Sequence, residues 1–305
     1  MADDFTLSFD QSILSATGVY YRIVQELGSG GNAVAYLANA TSGPNRGVPF
    51  AVKIFKKLSA PERRERFVEE IDVLTTLDHP SVMRVFDRGL FETHSAGQHP
   101  FVVAEYLPRT LFDAMKANSL SMPEKLSIAL QLLSALEYIC GRDPQIIHRD
   151  IKPQNIFLKG KSCVLGDFGL MKLVDGNDEV DKDVFKMSIG PGMPFFYRTP
   201  DLVAYAKNES DLTIKSDVFQ LGLVLSTLFT GWNPCKRPGN ILDPVELSPI
   251  GNIVGAQAAG IASLLNRMLV MDPARRESVD AFLDPFLGVF NDVASKMNDI
   301  EGRVI

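Results

Sequence analysis

The stretch His148-Arg149-Asp150-Ile151-Lys152-Pro153-Gln154-Asn155 decides how this 305-residue chain is read. It places a carboxylate, an ammonium two residues on and an amide five residues on, in a loop held open by Pro153. An acid, a base and a metal-liking amide so close together are rarely a surface accident. Working outward, Asp167-Phe168-Gly169 follows the strand-like Cys163-Val164-Leu165 at a β-hairpin's distance from Asp150. Asp-Phe-Gly alone is a common turn, and only its spacing from Asp150 lends it meaning.

Two elements lie upstream. Leu27-Gly28-Ser29-Gly30-Gly31-Asn32-Ala33-Val34-Ala35-Tyr36 sets glycines between two strand-like runs, and glycine lets main-chain N–H groups come close to phosphate oxygens. Taken alone, such a hairpin is more often just a turn. Ala51-Val52-Lys53 lies in an apolar strand whose alternation puts Lys53 on the face opposite Val52 and Ile54. Lys53 reads either as a solvated charge or as a cation held for phosphates. The second reading needs a carboxylate: Glu70 supplies one beside the apolar stripe Phe67, Ile71, Leu74, with Glu69 as competitor and a solvated acidic face as the alternative.

Organisation follows from periodicity. Between Tyr20 and Tyr106 short β-rich runs dominate, at Tyr21 to Glu26, Val34 to Ala38, Phe50 to Phe55, Val82 to Phe86 and Phe101 to Glu105, interrupted by one helix from Pro61 to Leu77. After Leu107 helical periods take over. Leu126, Leu130, Leu133 and Leu136 make one face; Ile261, Leu264, Leu265 and Met268 make another, ending before Asp272-Pro273. Val218, Leu221, Leu225 and Leu228 belong to a helix apolar almost all round, which predicts a buried central helix. The expected division is a terminal extension (1–19), a β-rich lobe (20–106), a helical lobe (107–287) and a tail (288–305), with the ligand in a cleft between the lobes.

Composition sets the outer bounds. Hydrophobic residues make up 46% and charged ones 22%, which excludes wholesale disorder. A net charge of −6 argues against broad nucleic-acid binding. No apolar run is long enough for a membrane span, and acidic Met1 to Asp10 is the opposite of a secretory signal. Cys140, Cys163 and Cys235, odd in number and scattered, fit reduced thiols. The expectation is a soluble, cytoplasmic protein.

Taken in order, these elements resemble the eukaryotic-type serine/threonine protein kinases, from about Tyr21 to Leu287. Lys215-Ser216-Asp217-Val218-Phe219-Gln220-Leu221-Gly222 resembles the start of that family's central helix, and Asp272-Pro273-Ala274-Arg275-Arg276 a late motif of its large lobe. The resemblance implies an α+β, bilobal kinase-like fold and an ATP-dependent enzyme with two Mg²⁺ ions, Mn²⁺ being an alternative. It implies that Leu27, Gly28, Ser29, Gly30, Gly31, Asn32, Ala33, Val34 and Ala35 cover the ATP phosphates, and that Lys53, paired with Glu70, holds the α- and β-phosphates. Ala35, Ala51 and Phe157 would sandwich adenine, whose edge meets backbone groups of Glu105 and Leu107. Asp167 and Asn155 would ligate metal, Asp150 would accept the substrate proton, and Lys152 would neutralise charge near the γ-phosphate. Lys152 together with Gln154 implies serine/threonine rather than tyrosine specificity. The implied partners are protein substrates bearing serine or threonine, and a second copy of the chain during autophosphorylation.

Three departures stand out. Ala33 replaces the nucleotide loop's third glycine, which costs on the order of 1 kcal/mol if the backbone there needs positive φ and almost nothing otherwise. Thr199-Pro200-Asp201 stands where the family has Ala-Pro-Glu, leaving Asp201 a shorter reach toward Arg276. Pro194 falls where serine/threonine kinases mostly have threonine, and Ser188 is a candidate phosphate acceptor beside acidic residues.

Overall fold

Alternating burial is what the strands of the first half are built on. The structure is a computed structural model that describes residues 7–29, 33–56, 68, 71–92, 97–168, 171–174, 197, 199–236, 244–251 and 255–301. The chain divides into two units after Pro108. In the first, β1 (Ser12–Leu14), β2 (Tyr20–Ser29), β3 (Ala33–Ala40), β4 (Pro49–Phe55), β5 (Val85–Glu92) and β6 (Gln98–Glu105) form one antiparallel sheet in the order β1-β2-β3-β4-β6-β5. Phe50, Val52 and Ile54 of β4 enter a core shared with Ile23, Tyr36 and Phe101, while Ala51 and Lys53 take the opposite face. Cross-strand register sets Ala35 beside Lys53 and Lys53 beside Val102, so these residues share that second face. β1 comes from the segment expected to be only an extension, and buried Leu7 donates its N–H to the Tyr36 hydroxyl at 3.0 Å.

One strand differs from expectation. The run 82–86 is not itself a strand: Val82 closes a turn by donating to the His79 carbonyl at 3.0 Å, and β5 begins only at Val85 and continues through Gly89. Gly89, inside β5, is a packing device. A Cβ there would lie 2.6 Å from Cε1 of Phe101, which is fully buried against it.

The second unit is mainly helical: α1 (Leu111–Lys116), α2 (Met122–Cys140), α3 (Pro200–Ala206), α4 (Lys215–Thr230), α5 (Ala256–Met268) and α6 (Leu283–Glu301). Thr110 and Ser121 open α1 and α2 as capping boxes with Asp113 and Glu124. Helix α2 buries Leu126, Leu133 and Leu136 as its period predicts, though Leu130 lies half-buried and Ala129 and Leu132 take the covered positions. Helix α4 is buried on every side, as an apolar circumference requires, and α5 seals Ile261, Leu264, Leu265 and Met268. Gly222 lets α4 and α5 approach closely, since a Cβ there would meet the Met268 Cβ at 3.0 Å. The region read as a tail continues α6, whose Phe286 stacks on Phe229 of α4 at 6.4 Å. Two short antiparallel sheets complete the unit: the hairpin of β8 (Ile156–Lys159) with β9 (Ser162–Leu165), and β7 (Ile146–Ile147) paired with the later β10 (Lys172–Leu173). All three cysteines are unpaired thiols, and among the described residues no helix is long and apolar enough to cross a membrane.

Gly89→Ala is expected to cost about 2 kcal/mol, because the Phe101 ring must leave its site. Denaturant unfolding measures this, and an unchanged midpoint would refute the packing role.

Candidate active site

A buried polar residue on an apolar helix must find partners, and those of α4 find them in the loop around Asp150. Asp217 is fully buried and accepts from the main-chain N–H of His148 at 2.6 Å and of Arg149 at 2.9 Å. Gln220, one turn on, accepts from Ile151 N–H at 2.9 Å and donates to the carbonyls of Arg149 and Tyr197, both at 3.0 Å. The loop held this way is not relaxed: Arg149 has φ +65 and Asp167 φ +60, in the left-handed region that side chains disfavour by roughly 1–2 kcal/mol each. The Asp217 bond to the Arg149 N–H and the Gln220 bond to its carbonyl, together worth about 1–3 kcal/mol or more, offset that cost at Arg149. Burial pushes Asp217 up to about 7, against the pull of its two N–H donors and the Arg149 guanidinium. The Arg149 side chain turns back to donate to the Met171 carbonyl at 2.6 Å.

His148 is fully buried, packs against Phe168 with ring centres 4.6 Å apart and planes tilted by 49°, and is bonded at both ring nitrogens. Its Nδ1 accepts from the Asp150 N–H at 3.3 Å, so Nε2 carries the proton and donates to the Gly166 carbonyl at 3.0 Å. Burial lowers its pKa to about 4, outweighing the pull of Asp167.

The carboxylate of Asp150 takes the Lys152 ammonium on both oxygens, at 3.0 and 2.8 Å, and the Asn155 amide on Oδ2 at 2.8 Å. A second bond from Asn155 Nδ2, to the Asp150 carbonyl at 2.9 Å, commits both amide hydrogens. The Asn155 oxygen is therefore the atom presented outward. Burial raises Asp150 to about 6; Asp167 acts in the same direction, while Lys152 and Asn155 oppose it. The β8–β9 hairpin separates Asn155 from Asp167, as the spacing predicted, and carries Phe157 opposite Val164. The Asp167 carboxylate and the amide oxygen of Asn155, whose main-chain carbonyl accepts from the Gly166 N–H at 2.9 Å, are hard donors of the kind a divalent ion takes. Among the described residues no three His, Cys, Asp or Glu side chains cluster as metal ligands.

In the first unit Gly28 pairs with Ala35 after a bulge, and a Cβ on Gly28 would meet nothing within 4 Å, leaving open space over its backbone. Ala33 opens β3 opposite Phe55 without positive φ, so alanine costs nothing there. Glu105 ends β6, its N–H donating to the Arg84 carbonyl at 3.1 Å, and Leu107 follows in the connector. Leu27 and Ser29 lie in β2, and Val34 packs into the core. Gly30, Gly31, Asn32, Glu70, Gly169, Ser188 and Pro194 fall outside the described residues.

The shorter carboxylate of Asp201 does reach its partner. Arg276, fully buried, donates to its two oxygens at 3.0 and 3.2 Å, and also to the carbonyls of Lys215, Val270 and Met271, with Phe219 under the guanidinium at 4.8 Å. Asp217 and Gln220 are the functional positions to which the sequence reading gave no role. Their signal is polarity on a helix with no exposed face.

A family model described as "Protein kinase domain" matches residues 21–286, so the chain belongs to the protein kinase family. It is 28% identical over 271 residues to the serine/threonine-protein kinase pkn2 of Myxococcus xanthus, covering 84% of this chain and 30% of that protein. It is 30% identical over 219 residues to the serine/threonine-protein kinase ATG1a of Arabidopsis thaliana, covering 70% of this chain and 32% of the relative. With the serine/threonine-protein kinase cds1 of Schizosaccharomyces pombe it shares 29% over 286 residues, covering 88% and 58% respectively. The chain thus spans less than two thirds of the length of each. Membership carries with it the use of ATP and a divalent metal.

Two outcomes follow. Asp201→Ala leaves a buried guanidinium without its counter-charge and should cost about 3–5 kcal/mol in denaturant unfolding; a loss below 1 kcal/mol would show the pair to be dispensable. His148 should stay neutral when folded down to about pH 4, so its ring resonances should not shift between pH 7.5 and 5.5. The unfolded chain takes up a proton near pH 6.5 that the folded chain refuses, so this group lowers stability as pH falls from there toward 4. A ring titration near pH 6.5 would contradict the buried, neutral tautomer.

Proposed function

We propose that this chain transfers the γ-phosphoryl group of ATP to serine and threonine hydroxyls of proteins, with Asp150 as the base. The observation that carries the reading is the Asp150 carboxylate, buried and oriented by Lys152 and Asn155 at 2.8–3.0 Å. A base held this way can accept the hydroxyl proton as the oxygen attacks phosphorus, and it gains nothing by moving. Lys152, already at that carboxylate, offsets negative charge that develops near the transferred group. Asp167 and Asn155 would hold divalent ions, Mg²⁺ first and two in number, which supply positive charge against the phosphates.

The β-rich unit serves the nucleotide in this reading. The open space over Gly28 supports close approach of phosphate to its N–H, and Ala33, Ala35 and Ala51 keep the sheet's face low for a flat base. Lys53 shares that face and would bind the α- and β-phosphates; Phe157 in the helical unit and the backbone of Glu105 and Leu107 would complete adenine recognition. Lys152 and Gln154 support serine/threonine over tyrosine acceptors.

Incubation with labelled ATP, Mg²⁺ and a protein acceptor should place phosphate on serine or threonine. Asp150→Asn should lower that rate on the order of a hundredfold or more. ATP binding without transfer would make the chain a binding module, and transfer that survives the substitution would remove Asp150 as base.

A further inference from the structure

A cavity of about 550 Å³ opens beside the Asp150 loop, within the range of ligand-binding clefts, and the nucleotide and metal roles leave it unused. Pro153 and Gln154, which directly follow Lys152, form part of its wall, with Tyr197. Tyr197 is tied to the same loop, because Gln220 bonds both its carbonyl and that of Arg149. The charged residues on the wall are Lys116, at the end of α1, and Lys125, in the first turn of α2; no carboxylate lines it among the described residues.

The acids nearest these lysines in sequence are turned into their own capping boxes and off the cavity wall. Asp113 keeps an electrostatic pull on Lys116, but among the described residues no acid exerts one on Lys125. Asp113 turns to Thr110, bonding its N–H at 2.9 Å and its hydroxyl at 2.7 Å. Glu124 does the same with Ser121, at 2.9 and 2.7 Å. Lys125 is half-buried and has no hydrogen bond or ion pair from its ammonium among the described residues. It also sits at the positive end of the α2 dipole, where a cation is disfavoured and an anion is not. Burial lowers its pKa, with no carboxylate pulling the other way.

We propose that this cavity receives an acidic side chain of the protein substrate, flanking the phosphorylated residue, and that Lys116 and Lys125 make the enzyme acid-directed. The inference rests on the kinase reading above and names the substrate class for it. Charge complementarity selects the occupant: a carboxylate or phosphate satisfies the desolvated Lys125, whereas a lysine or arginine side chain would add like charge to a site that already has two.

The test uses the full chain and three serine peptides that differ only in four flanking positions, filled with Glu, Gln or Lys. The Glu peptide is expected to show the highest kcat/KM, carried in KM, and the advantage should shrink as salt is raised. Lys116→Glu and Lys125→Glu, separately, should each reduce the Glu-over-Lys preference about fivefold. Lys125→Met keeps the apolar stem where charge reversal impairs folding, and should weaken the preference in the same direction. Equal rates on the three peptides, a Lys preference, or a preference untouched by these substitutions would overturn the acid-directed pocket and leave the kinase reading standing. Phosphate on none of the peptides or on any protein acceptor would overturn both.

Discussion

One carboxyl group carries the rest of the site. Asp217, enclosed by an apolar helix, receives two successive main-chain N–H groups of the loop that presents Asp150. Asp217 holds the N–H of Arg149 and Gln220 holds its carbonyl, so the two sides of its positive φ are clamped by one helix. The loop's shape is therefore imposed from the core outward, by a helix whose Val218, Leu221, Leu225 and Leu228 are packed in place within that core. Gln220 repeats the device one turn later and extends it to Tyr197, so a single helix sets both the catalytic loop and the wall of the neighbouring cavity.

Charge is handled by the same logic of enclosure. Arg276 lies fully buried, yet every direction it faces offers an acceptor or a ring, and the carboxylate of Asp201 balances it. His148 is kept neutral so that its two nitrogens can hold Asp150 and Gly166, one accepting and one donating. At Asp150 the balance is left open. Two cationic or amide partners orient the carboxylate, but burial and Asp167 keep it from being too comfortable as an anion. A base of that kind both ionises near neutral pH and takes a proton readily.

Much of this was legible in the primary structure, for reasons that can be stated residue by residue. The order of Lys53, Asp150, Asn155 and Asp167 declared the family, and the family match from residue 21 to 286 agrees. The circumference of α4 announced its burial. What periodicity does not report is the purpose of a polar residue on such a helix: Asp217 and Gln220 look like lapses in an apolar pattern until the loop they hold is seen. Gly89 drew no notice in the sequence, since only packing reveals that it is the space for Phe101. The Asp201–Arg276 pair depended on backbone approach, which side-chain length alone could not settle.

Hydrogen exchange at the amides of His148 and Arg149 tests the claim on which all this stands. If Asp217 fixes the loop from the core, those two amides should be among the slowest in the helical unit, opening only when α4 itself unfolds. Exchange as fast as that of Gly160 and Lys161 at the exposed β8–β9 turn would mean the loop is not held by the buried helix, and the account of a preorganised base would fail.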